Sequence, residues 1–383
     1  MNKPAIVTIA YNRPDSLGRL LSSLGNAKYP EGSEVTLVIS IDKSDTDEVV
    51  RLAQEYEWPF GEKVVIARKE RMGLKNHVLA CGDLTDTYGS IIVLEDDLYV
   101  SPSFYEYAVK ALDFTEGDER IGGVSLYNHL FNVHARRSFM AIDDGYDNWY
   151  FQFASSWGQA YTKSQWDGFK EWYAIHKDEP IGGAFVPANV ATWSERSWLK
   201  YYIAYLIDTD KYFLYPKVSF TTNFGDVGSH AVKADADLQV PIAGRVQGLY
   251  CAFAKLDESD SIYDAFFENV RLAGPDRDVI VDLYGSKPIN EMLAQKPSVK
   301  YVLSSQGLPF ETVESYGRQM RPVDANIVYK VTGNDFRLYD ISRKAEAPSG
   351  NDEAVSYLYE YRGISAKQMM QMIKYRISEK LRK

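Results

Sequence analysis

The 383 residues predict an α/β chain built on a doubly wound, mostly parallel sheet flanked by helices, and three observations carry that expectation. β-branched runs alternate with amphipathic stretches through the N-terminal part of the chain, as βαβ units do. Ile91, Ile92, Val93 and Leu94 read as a strand buried on both faces. That strand ends in Glu95, Asp96 and Asp97, three adjacent carboxylates at the place where open α/β sheets bind ligands.

Taken in order, residues 5–10 are a first strand. Tyr11 to Asp15 make a turn in which Asp15 or Ser16 can cap the next helix, whose inner face is Leu17, Leu20, Leu21 and Leu24. Residues 35–41 are a second strand closing on Asp42, followed by a helix over about 46–57 and a strand over 63–67. A helix over 72–81 leads into the acidic strand. A helix over 103–114 and a strand over 121–125 follow. Residues 129–160, rich in aromatic, Gly, Asp and Asn residues, read as a long loop system, and such loops tend to carry function. Helices are expected over 166–175 and 193–207, with a strand over 212–218. Beyond residue 266 the texture changes to short β segments over 278–284, 301–304, 325–329 and 336–339. The expected units are therefore 1–265 as the catalytic domain, 266–344 as a small β-rich module, and 345–383 as a linker with a terminal amphipathic helix.

Composition narrows the function. The chain is 45% hydrophobic and 25% charged, as soluble globular proteins are. A net charge of −10 argues against nucleic-acid partners, which need cationic surface. The two cysteines, Cys81 and Cys251, make neither a disulfide framework nor a zinc motif. The start of the chain enters a strand pattern directly, and no apolar run is long enough to span a bilayer, so a cytoplasmic protein is expected. The 28 tyrosines suit carbohydrate surfaces and core packing alike. The last twenty residues hold six basic side chains and one acid, with Ala366, Met370, Ile373, Ile377 and Leu381 at helical spacing. A basic amphipathic helix fits a peripheral position on an anionic membrane, and docking on the protein itself or on a second subunit as a homodimer contact fits equally.

Three neighbouring carboxylates repel one another and lose solvation when buried, so a cation is expected beside them. Mg²⁺ or Mn²⁺ would take one or two carboxylates together with phosphate oxygens of a substrate. No Gly-x-Gly-x-x-Gly follows the first strand, which weakens a dinucleotide reading.

Four landmarks occur in order: residues 8–14, the strand ending at Asp42, residues 71–76, and Leu94 to Asp97. Together they resemble GT-A glycosyltransferases of the bacterial family 2 type, and residues 93–107 locally resemble the eukaryotic GlcNAc-transferase that begins hybrid N-glycans. The resemblance spans about residues 4–230. It implies an inverting transfer from a nucleotide sugar, a UDP-sugar, to a saccharide or lipid-linked saccharide acceptor in surface polysaccharide synthesis, with Mn²⁺ or Mg²⁺ as cofactor. It implies that Ala10, Tyr11 and Arg13 hold the nucleobase and ribose. Asp42 would hydrogen-bond the uracil or cap a helix. Lys75 would lie near the diphosphate, Asp96 at the ribose, Glu95 at the donor sugar, and Asp97 would bind the metal. His230 is a candidate for the metal or pyrophosphate, and Trp157 and Gly158 for the acceptor side. The general base is Glu195 or Asp226, with Asp143, Asp144 and Asp147 behind them. His77, His129, His134 and His176 are expected to be structural. Two other functions stay open: a nucleotidyltransferase making nucleotide sugars, and a non-catalytic sugar-binding protein on the same fold.

Overall fold

A computed structural model of the chain describes residues 2–226, 238–244, 251–276, 278–348 and 364–381. The first half follows the expected alternation. Strand β1 (Ala5–Ala10) leads to helix α1 (Pro14–Gly25), β2 (Leu37–Ile41), α2 (Glu48–Glu55), β3 (Lys63–Ala67), α3 (Leu74–Gly82), α4 (Thr85–Tyr88) and β4 (Ser90–Glu95). Then come β5 (Leu98–Val100), α5 (Phe104–Thr115), β6 (Ile121–Ser125), β7 (Phe131–Asn132), β8 (Arg137–Ser138), β9 (Asn148–Phe151) and β10 (Gln159–Thr162). Helices α6 (Lys163–His176), α7 (Ala188–Ala191) and α8 (Trp198–Asp208) precede β11 (Tyr212–Pro216), β12 (Thr221–Asn223) and β13 (Ile262–Tyr263).

Nine of these strands form one sheet in the order β13-β9-β11-β6-β10-β4-β1-β2-β3. Strands β3, β2, β1 and β4 are mutually parallel. The chain runs outward from β1 through β2 to β3, then returns to place β4 on the other flank of β1. The order thus reverses between β1 and β4, and the crevice at their carboxyl ends is where such sheets take ligands. Alternate residues of β4 face opposite cores. Ile92 and Leu94 pack against α1, α2 and α5, and Ile91 and Val93 against α3, α6 and α8. Burial on both faces explains why the strand reads as an unbroken apolar run.

Three expectations for the main domain are corrected. Residues 129–160 are not simply loops, because β9 and β10 lie inside the main sheet, β10 antiparallel between β4 and β6. Trp149, Tyr150 and Phe151 are buried from both faces, so an aromatic-rich stretch is core here. The helix expected from residue 193 begins at Trp198, where the Ser197 hydroxyl caps it by accepting from the Lys200 N–H. Helix α1 begins at Pro14 without a side-chain cap, and Ser16 donates to Asp226 instead.

The C-terminal module is a four-stranded sheet in the order β14-β15-β17-β16. Its strands are β14 (Val279–Asp282), β15 (Tyr301–Ser304), β16 (Phe310–Tyr316) and β17 (Phe336–Lys344), with helix α9 (Ile289–Gln295) linking the parallel pair β14 and β15. The strand expected over 325–329 is helix α10 (Ala325–Val328). Buried Asn326 decides it: its side-chain oxygen accepts from the N–H groups of Gln319 and Met320, and its amide donates to the carbonyls of Met320 and Val323. Strand β16, with an exposed face, was not expected. The Tyr263 hydroxyl donates to Asp324 at 2.6 Å and ties the module to the main sheet. The end of the chain is helix α11 (Ala366–Leu381), which exposes Met370, Ile373, Tyr375 and Ile377. Residues 345–348 are irregular, and the rest of the expected linker lies outside the described residues.

Candidate active site

The carboxyl ends of β1, β2 and β4 assemble most of the expected residues. The turn after β1 brings the Arg13 guanidinium onto the acidic triplet, where it pairs with both oxygens of Asp96 and donates to Asp97 at 3.4 Å. One guanidinium among three carboxylates leaves an excess of negative charge. Burial, together with Asp97 and Asp96, pushes Glu95 up to about 8. Burial likewise pushes Asp96 up to about 6, even with Arg13 beside it. A group that resists ionisation in this way marks a place where further positive charge is favourable.

Among the described residues, no three His, Cys, Asp or Glu side chains converge to form a metal cage. The donor set still fits a hard divalent cation. Such ions often take one or two protein carboxylates and complete their shell with phosphate oxygens and water. The raised carboxyls of Glu95 and Asp96 beside Asp97 are the charge pattern that such an ion relieves. His230, the other proposed ligand, lies outside the described residues.

Asp42 is buried, and its oxygens accept from the backbone N–H groups of Lys43 at 2.9 Å, Met72 at 2.8 Å and Gly73 at 2.9 Å. It caps no part of α2, the helix that follows its strand. It clamps the turn before α3 instead, and that turn carries Arg71, whose guanidinium stacks 4.3 Å from the Tyr11 ring centroid and bonds the Tyr11 hydroxyl. Tyr11, Arg71 and Asp42 thus form one wall of the crevice, with Ala10 buried at its base.

Lys75, on the first turn of α3, has its ammonium 4.9 Å from the Tyr201 ring and 5.9 Å from the Tyr173 ring, within cation–π reach. Glu195 belongs to this cluster. Its two oxygens accept from Lys200 and from the Tyr201 hydroxyl, each at 2.5 Å. These bonds hold its carboxyl below the usual range. Lys200 is buried, so Glu195 supplies the counter-charge of a buried ammonium.

Asp226 comes to the acidic triplet by another route. Strand β12 pairs with β5, directly after the triplet, and the Phe224 N–H donates to the Asp97 carbonyl at 3.0 Å. Asp226 then accepts from Ser16 at 2.7 Å and pairs with Arg19, which also lies 4.4 Å from the Phe224 ring centroid. The structure therefore separates the two candidate bases. Asp226 shares the field of Asp96, whereas Glu195 sits with Lys75.

Trp157 and Gly158 lie just before β10, whose Gln159 pairs with Val93 of β4, so they border the end of the acidic strand. Gly158 has φ of +96°, and a Cβ there would lie 2.8 Å from Thr221, which donates to the Trp157 carbonyl. Only glycine fits this left-handed, crowded position. Asp143 and Asp144 are engaged by Lys217, and Asp147 accepts from the Ala252 N–H. Arg19, Arg71 and Lys200 were not singled out as site residues: Arg19 meets Asp226 two hundred positions away, Arg71 meets Tyr11 sixty positions away, and nothing local marks Lys200 as a buried ammonium.

Residues 5–164 match the family described as Glycosyl transferase family 2. No curated protein matches the chain. Among solved structures, Staphylococcus aureus TarS is similar at 15% identity and a TM-score of 0.36, over 57% of this chain and 36% of that one. Its 1–349 fragment in complex with UDP-GlcNAc is similar at 15% identity and a TM-score of 0.36, over 61% of each chain. The mannosyltransferase PcManGT from Pyrobaculum calidifontis, in complex with GDP-Man and Mn²⁺, is similar at 16% identity and a TM-score of 0.30, over 43% of this chain and 46% of that one. The chain spans less than two thirds of each of these solved chains.

Proposed function

We infer, from a chain whose residues 5–164 match Glycosyl transferase family 2, that it transfers a sugar from a UDP-sugar to a saccharide acceptor with inversion at the anomeric carbon. The carrying observation is the charge imbalance at the β1–β4 crevice, where among the described residues Arg13 is the cation that pairs with the Glu95, Asp96 and Asp97 triplet. Asp97, together with the donor's diphosphate oxygens, would hold Mn²⁺ or Mg²⁺, which offsets the charge developing on the leaving diphosphate. Arg13 is positioned to exchange a carboxylate partner for a phosphate as the donor enters, since guanidinium pairs with either. Tyr11 and Arg71 offer a stacking wall for the base, and Asp42 keeps that wall in place through the turn at residues 72–73.

Asp226 is the base in this reading. It borders the triplet, whereas both oxygens of Glu195 are committed to Lys200 and Tyr201. Trp157 and Gly158 border the acceptor side. An acceptor on a lipid-linked saccharide at a membrane surface is supported by α11, a basic helix with exposed apolar side chains. Among the described residues no helix is long and apolar enough to cross a membrane. A nucleotidyltransferase is disfavoured because Tyr11 to Pro14 is not a glycine-rich phosphate loop.

The test is UDP-sugar hydrolysis and transfer in added Mn²⁺. Asp97→Asn should lower turnover by about two orders of magnitude or more, as loss of transition-state electrostatics does. Asp226→Asn should keep UDP-sugar affinity and lose transfer, while Glu195→Gln should retain more transfer than Asp226→Asn. Unchanged turnover by Asp97→Asn in EDTA-treated buffer would remove the metal from the reading.

A further inference from the structure

Helix α1 holds Asp226 through two side chains. Ser16 and Arg19 lie three positions apart on it, a spacing that puts both on one face. Both donate to the same carboxylate oxygen: the Ser16 hydroxyl reaches Asp226 Oδ2 at 2.7 Å, and the Arg19 guanidinium pairs with that oxygen too. Arg19 also reaches the Ser16 hydroxyl at 3.5 Å, which closes a three-membered network. The Arg19 and Asp226 side chains are 33% and 26% exposed, so solvent screens their charges less than on an open surface.

Arg19 is itself fixed by Phe224, whose ring centroid lies 4.4 Å from the guanidinium, within cation–π reach. The Phe224 N–H donates to the Asp97 carbonyl at 3.0 Å. Gly225, at φ of +61°, turns the chain between the ring and the carboxylate, so that Phe224 and Asp226 meet one guanidinium. Leu17, Leu20, Leu21 and Leu24 anchor α1 in the core. The helix starts directly after Arg13, which pairs with Asp96 and Asp97. One anchored helix therefore sets both the cation of the acidic triplet and the cation of Asp226.

A general base has to lie within hydrogen-bond reach of the proton it takes, and a carboxylate on a turn rotates about its side-chain torsions unless something holds it. A charge-assisted bond from a guanidinium is strong enough to do so. It also divides the labour of the carboxylate. Oδ2 already accepts two bonds, one of them from a cation, and has less electron density to offer, so Oδ1 is the more basic oxygen.

We propose, resting on the reading of Asp226 as base, that Arg19 is a positioning residue for the transfer: it holds Oδ2 and so presents Oδ1 to the incoming hydroxyl. In that step the acceptor oxygen bonds the anomeric carbon while the bond from that carbon to the diphosphate breaks. The bonding pair leaves with UDP, and the acceptor proton passes to Oδ1. Ser16 shares the hold on Oδ2, and Phe224 keeps Arg19 in place.

The experiment is steady-state hydrolysis by the full chain in Mn²⁺, with UDP-glucose, UDP-galactose, UDP-GlcNAc and UDP-glucuronate as probes and water in the acceptor's place. The probe turned over fastest is carried through the variants, and UDP binding is measured by calorimetry. Arg19→Ala should lower kcat by about tenfold or more, part of what a general base supplies, and leave KM and UDP affinity within about twofold. Arg19→Lys keeps a charge at the site and should recover about threefold or more of that loss. Arg19→Ala combined with Asp226→Asn should be within about twofold of Asp226→Asn alone, because no base is left to position. If Arg19→Ala does not fold, Arg19→Gln replaces it. Wild-type kcat in Arg19→Ala, beside lost turnover in Asp226→Asn, would overturn this proposal and leave the base in place. A double variant far slower than Asp226→Asn, or no recovery in Arg19→Lys, would also overturn it. Full turnover by Asp226→Asn, or no hydrolysis of any probe by the wild type, would overturn the reading of the base and this proposal with it.

Discussion

Replacing His129 by Phe should make the protein less sensitive to acid. His129 is fully buried, ringed by Tyr127, Phe151, Phe153, Trp157, Tyr215 and Phe267 at centroid distances of 5.0–5.8 Å. Neither ring nitrogen has a hydrogen-bond partner among the described residues. Burial pulls its pKa down from 6.5 to about 3, so the folded protein holds it neutral while the unfolded chain protonates it. For a base whose folded pKa is depressed, stability is fully present above the unfolded pKa and is lost as pH falls below it. Linkage between these two pKa values removes about 2 kcal/mol between pH 7 and pH 5. Phenylalanine fits an aromatic cage and cannot take the proton. Urea unfolding of both proteins at pH 7 and pH 5 reads the effect. The wild type should lose about 2 kcal/mol more than His129→Phe over that interval. His134, also pulled down by burial, acts in the same direction in both proteins and cancels from the difference. Equal losses would show that His129 is solvated or paired in solution, and the reasoning would fail.

Asp42→Ala should cost about 1–3 kcal/mol by stranding the half-buried N–H groups of Met72 and Gly73, and should weaken UDP binding because the Arg71 turn loosens; a thermal melt beside UDP calorimetry checks both. Gly82→Ala would put a Cβ 1.9 Å from the Trp166 ring, where α3 meets α6. It should destabilise by about 1–3 kcal/mol in chemical denaturation, as overpacking does. Deleting residues 364–383 should abolish low-salt sedimentation with anionic vesicles and spare transfer to a soluble acceptor analogue. If the full chain never sediments with such vesicles, α11 is not a membrane contact, and a halved mass on truncation would make it a dimer contact.

The first half of the fold was legible because β1, β2 and β4 are apolar runs with both faces buried and α1 has one leucine-rich face. The acidic triplet was legible for the same reason, since charge directly after a buried strand has few explanations. What escaped was decided at long range. Strands β9 and β10 are four residues each and become strands only through partners elsewhere in the sheet. Residues 325–329 have a β-branched composition, yet the Asn326 side chain ties them into a helical turn. The sequence shows Asp42 at a strand end, but two of its three partners, the N–H groups of Met72 and Gly73, lie thirty residues further on. Glu195 looked like a free acid at a helix start, and the buried Lys200 that it neutralises is visible only in three dimensions.

The position of β10 also bears on how the protein is made. It is the sole link between β4 and β6, the two strands on either side of it. Those strands emerge well before residue 159, so the nascent four-stranded sheet β3-β2-β1-β4 waits with an open edge at β4, and β6, whose other neighbour β11 comes later still, waits without a partner strand. Such edges recruit other chains, and pairings across long sequence separations form slowly. Fragments ending before Thr162 should therefore aggregate, and assembly of the crevice should be timed by the arrival of the strand that carries Trp157 and Gly158 at its head.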